Sequence, residues 1–199
     1  LLRAIDGYEG DEVVRCLLKL SPHFFLRPGE LRLSKWNEFD LENNLWCIPA
    51  SRMKIKSQDH FVPLSTQAMS ILKDLHFLTG HREYLFPGPR DWKRPISNNT
   101  ANAALRVMGF GKERMCMHGF RAIARTLLDE ILHFRIDIVE HQLAHAVRDA
   151  TGRAYNRTTH LPERIEMMQK WSDYLDELKS GKAVQSLGEV IQMKVKAVS

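Results

Sequence analysis

The sequence contains no run of roughly 18 consecutive apolar residues, so no segment is long enough to cross a bilayer as a helix. It also lacks a charged n-region followed by a short apolar h-region, and no export signal is read. Its three cysteines, Cys16, Cys47 and Cys116, are odd in number, far apart and form no CxxC pair. That excludes a disulfide framework and a zinc ribbon, and makes a reducing cytoplasm the expected compartment. There is no internal repeat and no low-complexity stretch. Methionine is missing from position 1: the chain opens on "LLRAIDGYEG", already apolar, which predicts a piece cut from a longer protein.

What the sequence does have is enough apolar material for a core. With 199 residues and 44% hydrophobic content it is expected to form one domain. The formal charge of +5 favours an acidic partner such as nucleic acid without establishing one.

Apolar periodicity divides the chain into short elements. Residues 11–20, "DEVVRCLLKL", place Val13, Val14, Leu17 and Leu18 at helical spacing behind an acidic start. Pro28-Gly29 marks a turn into a short helical segment running through Glu30 to Leu33. From 44 to 64 two β-forming stretches flank a basic loop, which reads as a β-hairpin or small sheet with Lys54 and Lys56 near its tip or on its second strand. Ser65 then caps a helix whose stripe is Ala68, Ile71, Leu72, Leu75 and Leu78, ending at Gly80. Further helices are expected over "NNTANAALRVMG", over 118–132 with Phe120, Ile123, Ala124, Leu127, Leu128 and Ile131 inward, and around "IDIVEHQLAH". A basic connector, "AVRDATGRAYNR", follows. Pro162 then opens a long helix with Ile165, Met168, Trp171, Leu175 and Leu178 on its buried stripe.

Six residues suit one task, a phosphodiester held by cations and attacked by a phenol: Arg27, Lys54, His118, Arg121, His145 and Tyr155. Their contexts are "LRPGEL", "RMKIK", "HGFR", "QLAH" and "AYNR". In that order and spacing, over roughly residues 10 to 178, they resemble the catalytic domain of tyrosine recombinases, most closely the prophage integrases of satellite-phage type. The resemblance implies a mainly α-helical domain over residues 1–178 with a small antiparallel sheet. It also implies a tail at 179–199 that docks on a neighbouring protomer, and N-terminal DNA-binding domains outside this piece. Tyr155 is then the nucleophile, and Lys54 the general acid on a hairpin, chosen over Lys56 because it directly follows "SRM".

The chemistry explains the residue types. A guanidinium stays charged and offers a planar fork, so Arg27 and Arg121 could clamp the two non-bridging oxygens of the scissile phosphate. A phenol with a pKa of about 10 needs a proton acceptor and cationic surroundings, which His118 or His145 could supply. The resemblance further implies double-stranded attachment-site DNA as partner, a homotetramer on two synapsed sites, a monomer or weak oligomer without DNA, and room for accessory DNA-bending proteins. No cofactor, no metal and no membrane contact are expected, and the setting is the bacterial cytoplasm and nucleoid. Three rivals compete with this reading. His141 and His145 form an H-x-x-x-H pair, yet Gln142 stands where a zinc hydrolase needs glutamate. The same fold could serve a DNA-binding accessory protein or degenerate recombinase, and a type IB topoisomerase would share the chemistry.

Overall fold

A computed structural model describes residues 1–54, 58–145 and 160–181. A one-turn helix, α1 (Leu2–Asp6), leads into α2 (Glu12–Phe24), the helix around which the others assemble. Asp11 starts α2 by accepting the amide N–H of Val14 at 3.0 Å, and Val14, Leu17, Leu18, Leu20 and Phe24 form its buried face. The helix runs on past Ser21-Pro22, where the sequence suggested it had ended. Ser21 Oγ donates to the Leu17 carbonyl at 2.6 Å, and Phe25, in the left-handed region at φ 38°, stops the helix. Packing outweighs the proline here: Trp171 Nε1 donates to the Pro22 carbonyl at 2.8 Å and its ring meets Phe25 edge-on at 6.0 Å.

Helix α3 (Pro28–Arg32) follows, with proline at its first position where no N–H is needed. Three strands, β1 (Phe39–Asp40), β2 (Leu45–Ile48) and β3 (His60–Pro63), form an antiparallel sheet in sequence order. Trp46 faces Val62 and Ile48 faces His60 across the β2–β3 ladder, and all four are buried, as period-two alternation requires. Phe39 on β1, a strand too short to stand out in sequence, stacks on Trp46 with ring centroids 4.8 Å apart.

The remaining helices are α4 (Thr66–Thr79), α5 (Thr100–Val107), α6 (Gly119–Glu130), α7 (Ile136–Gln142) and α8 (Leu161–Ser180). The mainly α fold with a small antiparallel sheet is therefore as expected, and the helical stripes are largely as read, but one residue of each of three stripes faces solvent. Leu78, Ile123 and Ile165 are 44%, 42% and 50% exposed. The inward positions are Thr79 on α4, Arg121 on α6 and Arg164 on α8, each polar and each therefore invisible to an apolar count. Among the described residues no helix is long and apolar enough to cross a membrane. The basic connector, Lys56 and the tail from 182 lie outside the described residues.

A buried polar chain ties three helices together. His23 Nδ1 lies 2.9 Å from Ser172 Oγ, which donates to Ser65 Oγ at 2.7 Å, and Ser65 accepts the amide of Ala68 as the cap of α4. Burial drives the His23 pKa down to about 4, so the ring is neutral at pH 7. The unfolded chain takes up this proton near pH 6.5 and the folded chain only near pH 4. Stability should thus be unaffected by this ring above about pH 6.5 and should fall as pH drops toward 4. Urea melts are expected to show His23's share as a loss on the order of 2 kcal/mol between pH 7 and pH 5. His23→Gln should flatten the slope by that amount; an unchanged slope would mean that the folded protein protonates the ring freely.

Candidate active site

Arg27 caps α3 from the loop that ends α2. Its backbone N–H donates to Glu30 Oε2 at 3.1 Å and its Nη1 to Glu30 Oε1 at 2.8 Å, so one buried carboxylate fixes both ends of the residue. Glu30 thereby aims the Arg27 guanidinium. Arg52, which sequence reading passed over, braces the same helix: Nη2 donates to the Glu30 carbonyl at 2.7 Å, Nη1 to the Leu33 carbonyl at 2.5 Å, and Nη1 pairs with Glu38 at 3.2 Å. The 3-10 turn Ala50–Arg52 thereby anchors the connection that carries Lys54. Lys54 is exposed in that connection, six residues before β3 begins, so of the two placements expected, near the hairpin tip or on the second strand, it takes the first.

Arg121 comes from the first turn of α6 and is 4% exposed. Its Nη2 donates to the Leu143 carbonyl and its Nη1 points at the Phe25 carbonyl at 3.5 Å. Burial lowers its pKa to about 10, with the Arg27 charge acting in the same direction and Glu30 and Glu140 opposing, so it keeps its proton at neutral pH. "HGFR" and "QLAH", which begin 24 residues apart at His118 and Gln142, are thus joined by one bond, with Arg27 close enough for its charge to be felt. His118 is exposed at the N-terminal end of α6, and its carbonyl accepts the Arg121 amide at 3.2 Å.

His145 follows α7 by way of Leu143 and Ala144 and is half exposed. Its Nδ1 contacts Glu140 Oε2, and Arg125 Nε donates to Glu140 Oε1 at 2.5 Å. Burial would raise the Glu140 carboxyl, but the bonds from His145 and Arg125 outweigh it and hold the group below its ordinary value. An ionised carboxylate only accepts, so Nδ1 carries the hydrogen and Nε2 is the nitrogen left to meet a ligand. The nucleophile expected from sequence, Tyr155, lies outside the described residues. Five of the six candidates are thus placed. Arg27, Arg121 and His145 share one network, Lys54 is braced to it through Arg52, and His118 joins through its backbone. What this arrangement offers chemically is two guanidinium groups near enough for one charge to act on the other, and a histidine of set tautomer, a cationic setting suited to an anion.

A helical domain with a three-stranded sheet, and with Arg27 and Arg121 near enough for their charges to interact, defines a class of protein, and comparison gives the class its name. Residues 1–161 match the model of the phage integrase family, and the chain belongs to that family. Over 188 residues it is 43% identical to the integrase of Enterobacteria phage P4, which covers 88% of this chain and 43% of that protein. Over 170 residues it is 40% identical to the prophage integrase IntA of Escherichia coli K12, covering 85% of this chain and 40% of that protein. The chain spans less than half the length of these curated relatives. Among solved structures, the integrase from mycobacterium phage Brujita superposes with a TM-score of 0.65 at 17% identity, covering 85% of this chain and 55% of that one. The XerA recombinase gives 0.58 at 19% identity, covering 81% and 60%. Such neighbours establish the shared fold.

The turn that presents His145 is strained. Ala144 adopts φ 48°, a left-handed conformation that costs a residue with a Cβ roughly 1–2 kcal/mol. Ala144→Gly should relieve most of this and, after glycine's own entropy loss, stabilise the protein by about 0.5–1 kcal/mol in a denaturant melt. Ala144→Val should destabilise it by more than 1 kcal/mol, and a reversed order would show that the turn is not held in this conformation.

Proposed function

We propose that this chain is the catalytic domain of a site-specific tyrosine recombinase, a prophage-type integrase that cuts and rejoins DNA through a 3′-phosphotyrosyl intermediate. The observation that carries the reading is the Arg121–Leu143 bond, because it sets one guanidinium of "HGFR" beside the turn of "QLAH" and within reach of Arg27's charge. Membership of the phage integrase family supports the same activity. In the proposed step the Tyr155 oxygen attacks the scissile phosphorus and forms a new P–O bond. The bond to the 5′ oxygen breaks, and that oxygen takes a proton from Lys54. The phenol's proton goes to His118 or His145. Arg27 and Arg121 stabilise the charge that grows on the non-bridging oxygens; where His118 takes the phenol's proton, a His145 protonated on both nitrogens donates its Nε2–H to the phosphate and positions it. Attack by a 5′ hydroxyl reverses the sequence, so bond energy is conserved and no ATP is consumed.

Double-stranded attachment-site DNA is the proposed partner, in keeping with a solved neighbour described as a lambda integrase dimer bound to a COC′ core site, which superposes at a TM-score of 0.55 with 16% identity. A charge of +5 suits a surface that tracks phosphates, so affinity should fall with salt. Four protomers at two synapsed sites, in the bacterial cytoplasm, complete the proposal. Residues 1–178 form the catalytic unit in this reading and 179–199 a docking tail.

The test uses the full-length protein on nicked attachment-site DNA, reading an SDS-resistant protein–DNA adduct. The adduct should form in excess chelator and vanish in Tyr155→Phe; an adduct that survives the substitution sinks Tyr155 as nucleophile. Arg121→Ala should slow adduct formation about a hundredfold or more, on the order of 3 kcal/mol of barrier. On DNA with sulfur replacing the bridging 5′ oxygen, which leaves without a proton, only the variant lacking the true acid should recover. Rescue of Lys56→Ala in place of Lys54→Ala would move the acid to Lys56.

A further inference from the structure

Arg164 is fully buried, at 0% exposure, and among the described residues no carboxylate holds it. Its Nε and Nη2 both donate to the side-chain oxygen of Gln142, at 2.9 and 2.6 Å, and Nη2 also donates to the Phe61 carbonyl on β3. Burial alone lowers its pKa, to about 10, so at pH 7 it is a charged group in the interior. Desolvating a cation costs several kcal/mol, and a neutral amide and one carbonyl return little of it. Two polar atoms of the pair, Arg164 Nη1 and Gln142 Nε2, are buried with no hydrogen-bond partner among the described residues. A group this unfavourable to bury invites a reason other than stability.

Its location supplies one. Gln142 is the last residue of α7, directly before the Leu143–Ala144–His145 turn. Its own carbonyl meets His60 Nε2 of β3 at 3.1 Å, and the next carbonyl, that of Leu143, is the one Arg121 grips. Arg164 stands in the first turn of α8, nine positions after Tyr155 in the sequence. One guanidinium therefore ties the start of α8 and strand β3 to the residue on which the placement of both Arg121 and His145 depends.

We propose that Gln142 and Arg164 form a buried clasp that positions Arg121 and the His145 turn for phosphoryl transfer, acting through those residues without touching DNA. The inference rests on the recombinase reading above and adds two positioning residues to it. The clasp sets orientation at a cost in stability. Replacing both partners with apolar side chains of similar volume, Gln142→Leu with Arg164→Met, should leave the melting temperature equal or higher, because buried ionic groups exchanged together for apolar ones are often neutral or stabilising. The same double variant should form the phosphotyrosyl adduct more slowly.

The experiment measures single-turnover adduct formation by the full-length protein on nicked attachment-site DNA, separating the rate constant from the amplitude. The double variant should melt cooperatively, bind DNA within about threefold of the parent, and cleave on the order of a hundredfold more slowly, the scale of loss expected when reacting groups shift by about an ångström. In a His145→Ala background the same double change should cost much less, since both act through one turn. Arg164→Lys, which keeps the charge and loses the fork, should lie between. An unchanged rate constant with reduced amplitude, losses that multiply in the His145→Ala background, or a double variant that no longer melts cooperatively would each overturn the clasp. A parent protein that gives no Tyr155-dependent adduct overturns the recombinase reading itself, a result distinct from any of these.

Discussion

A guanidinium removed from water must find oxygen acceptors, and in this protein the acceptors for Arg121 are main-chain carbonyls rather than carboxylates. That one constraint organises the site. Because Leu143 supplies its carbonyl only when the α7 turn is in place, the position of Arg121 and the position of His145 become a single degree of freedom. Among the described residues no carboxylate pairs directly with Arg121, so its charge is not spent in an internal ion pair. Arg27 is handled differently. It is held by Glu30 at 2.8 Å and remains partly exposed, so its charge is aimed by an ion pair at the surface while Arg121 is aimed by backbone from within.

The same logic extends outward from the site. Arg52 reaches the carbonyls of Glu30 and Leu33 and the carboxylate of Glu38, which in turn accepts Trp46 Nε1 at 3.0 Å. The sheet, helix α3 and the connection bearing Lys54 are thus linked by one partly buried arginine whose own pKa burial pushes down. Glu140 does the corresponding work on the other side, joining Arg125 of α6 to His145. Arg121 is carried by helix α6 and Arg27 by the cap of α3, whereas Lys54 and His145 sit on connections between elements. Such a division suits chemistry in which the phosphate must be held while the nucleophile and acid approach.

Much of this was legible in the sequence because apolar spacing reports burial and motif order reports chemistry. The helices over 66–79, 100–107 and 119–130 fell where periodicity and capping residues put them, and "HGFR" and "QLAH" named the segments that meet. The errors share a cause. Position 164 lies four residues before Met168 and seven before Trp171, squarely on the stripe that ends at Leu175, yet an arginine there reads as solvent-facing and Ile165 was preferred. Position 121 on α6 and position 79 on α4 misled in the same way. A polar residue in register with an apolar stripe is therefore the signal that sequence offered, and its meaning appears only once the acceptors, Gln142, Leu143 and Leu85, are in place.

The carbonyl-held arginines also bear on why glycine is not required at position 144. A left-handed turn favours glycine when nothing else fixes the backbone, since an alanine there would relax toward a lower-energy conformation. Here three independent donors converge on the turn: His60 on the Gln142 carbonyl, Arg164 on the Gln142 side chain and Arg121 on the Leu143 carbonyl. Each is worth on the order of 1–3 kcal/mol to a buried acceptor, so together they exceed the strain at Ala144. Strain of that size persists only where surrounding contacts over-determine the backbone. The turn that presents His145 is therefore set by contacts from the interior, the kind of preorganisation that the proposed phosphoryl transfer would use.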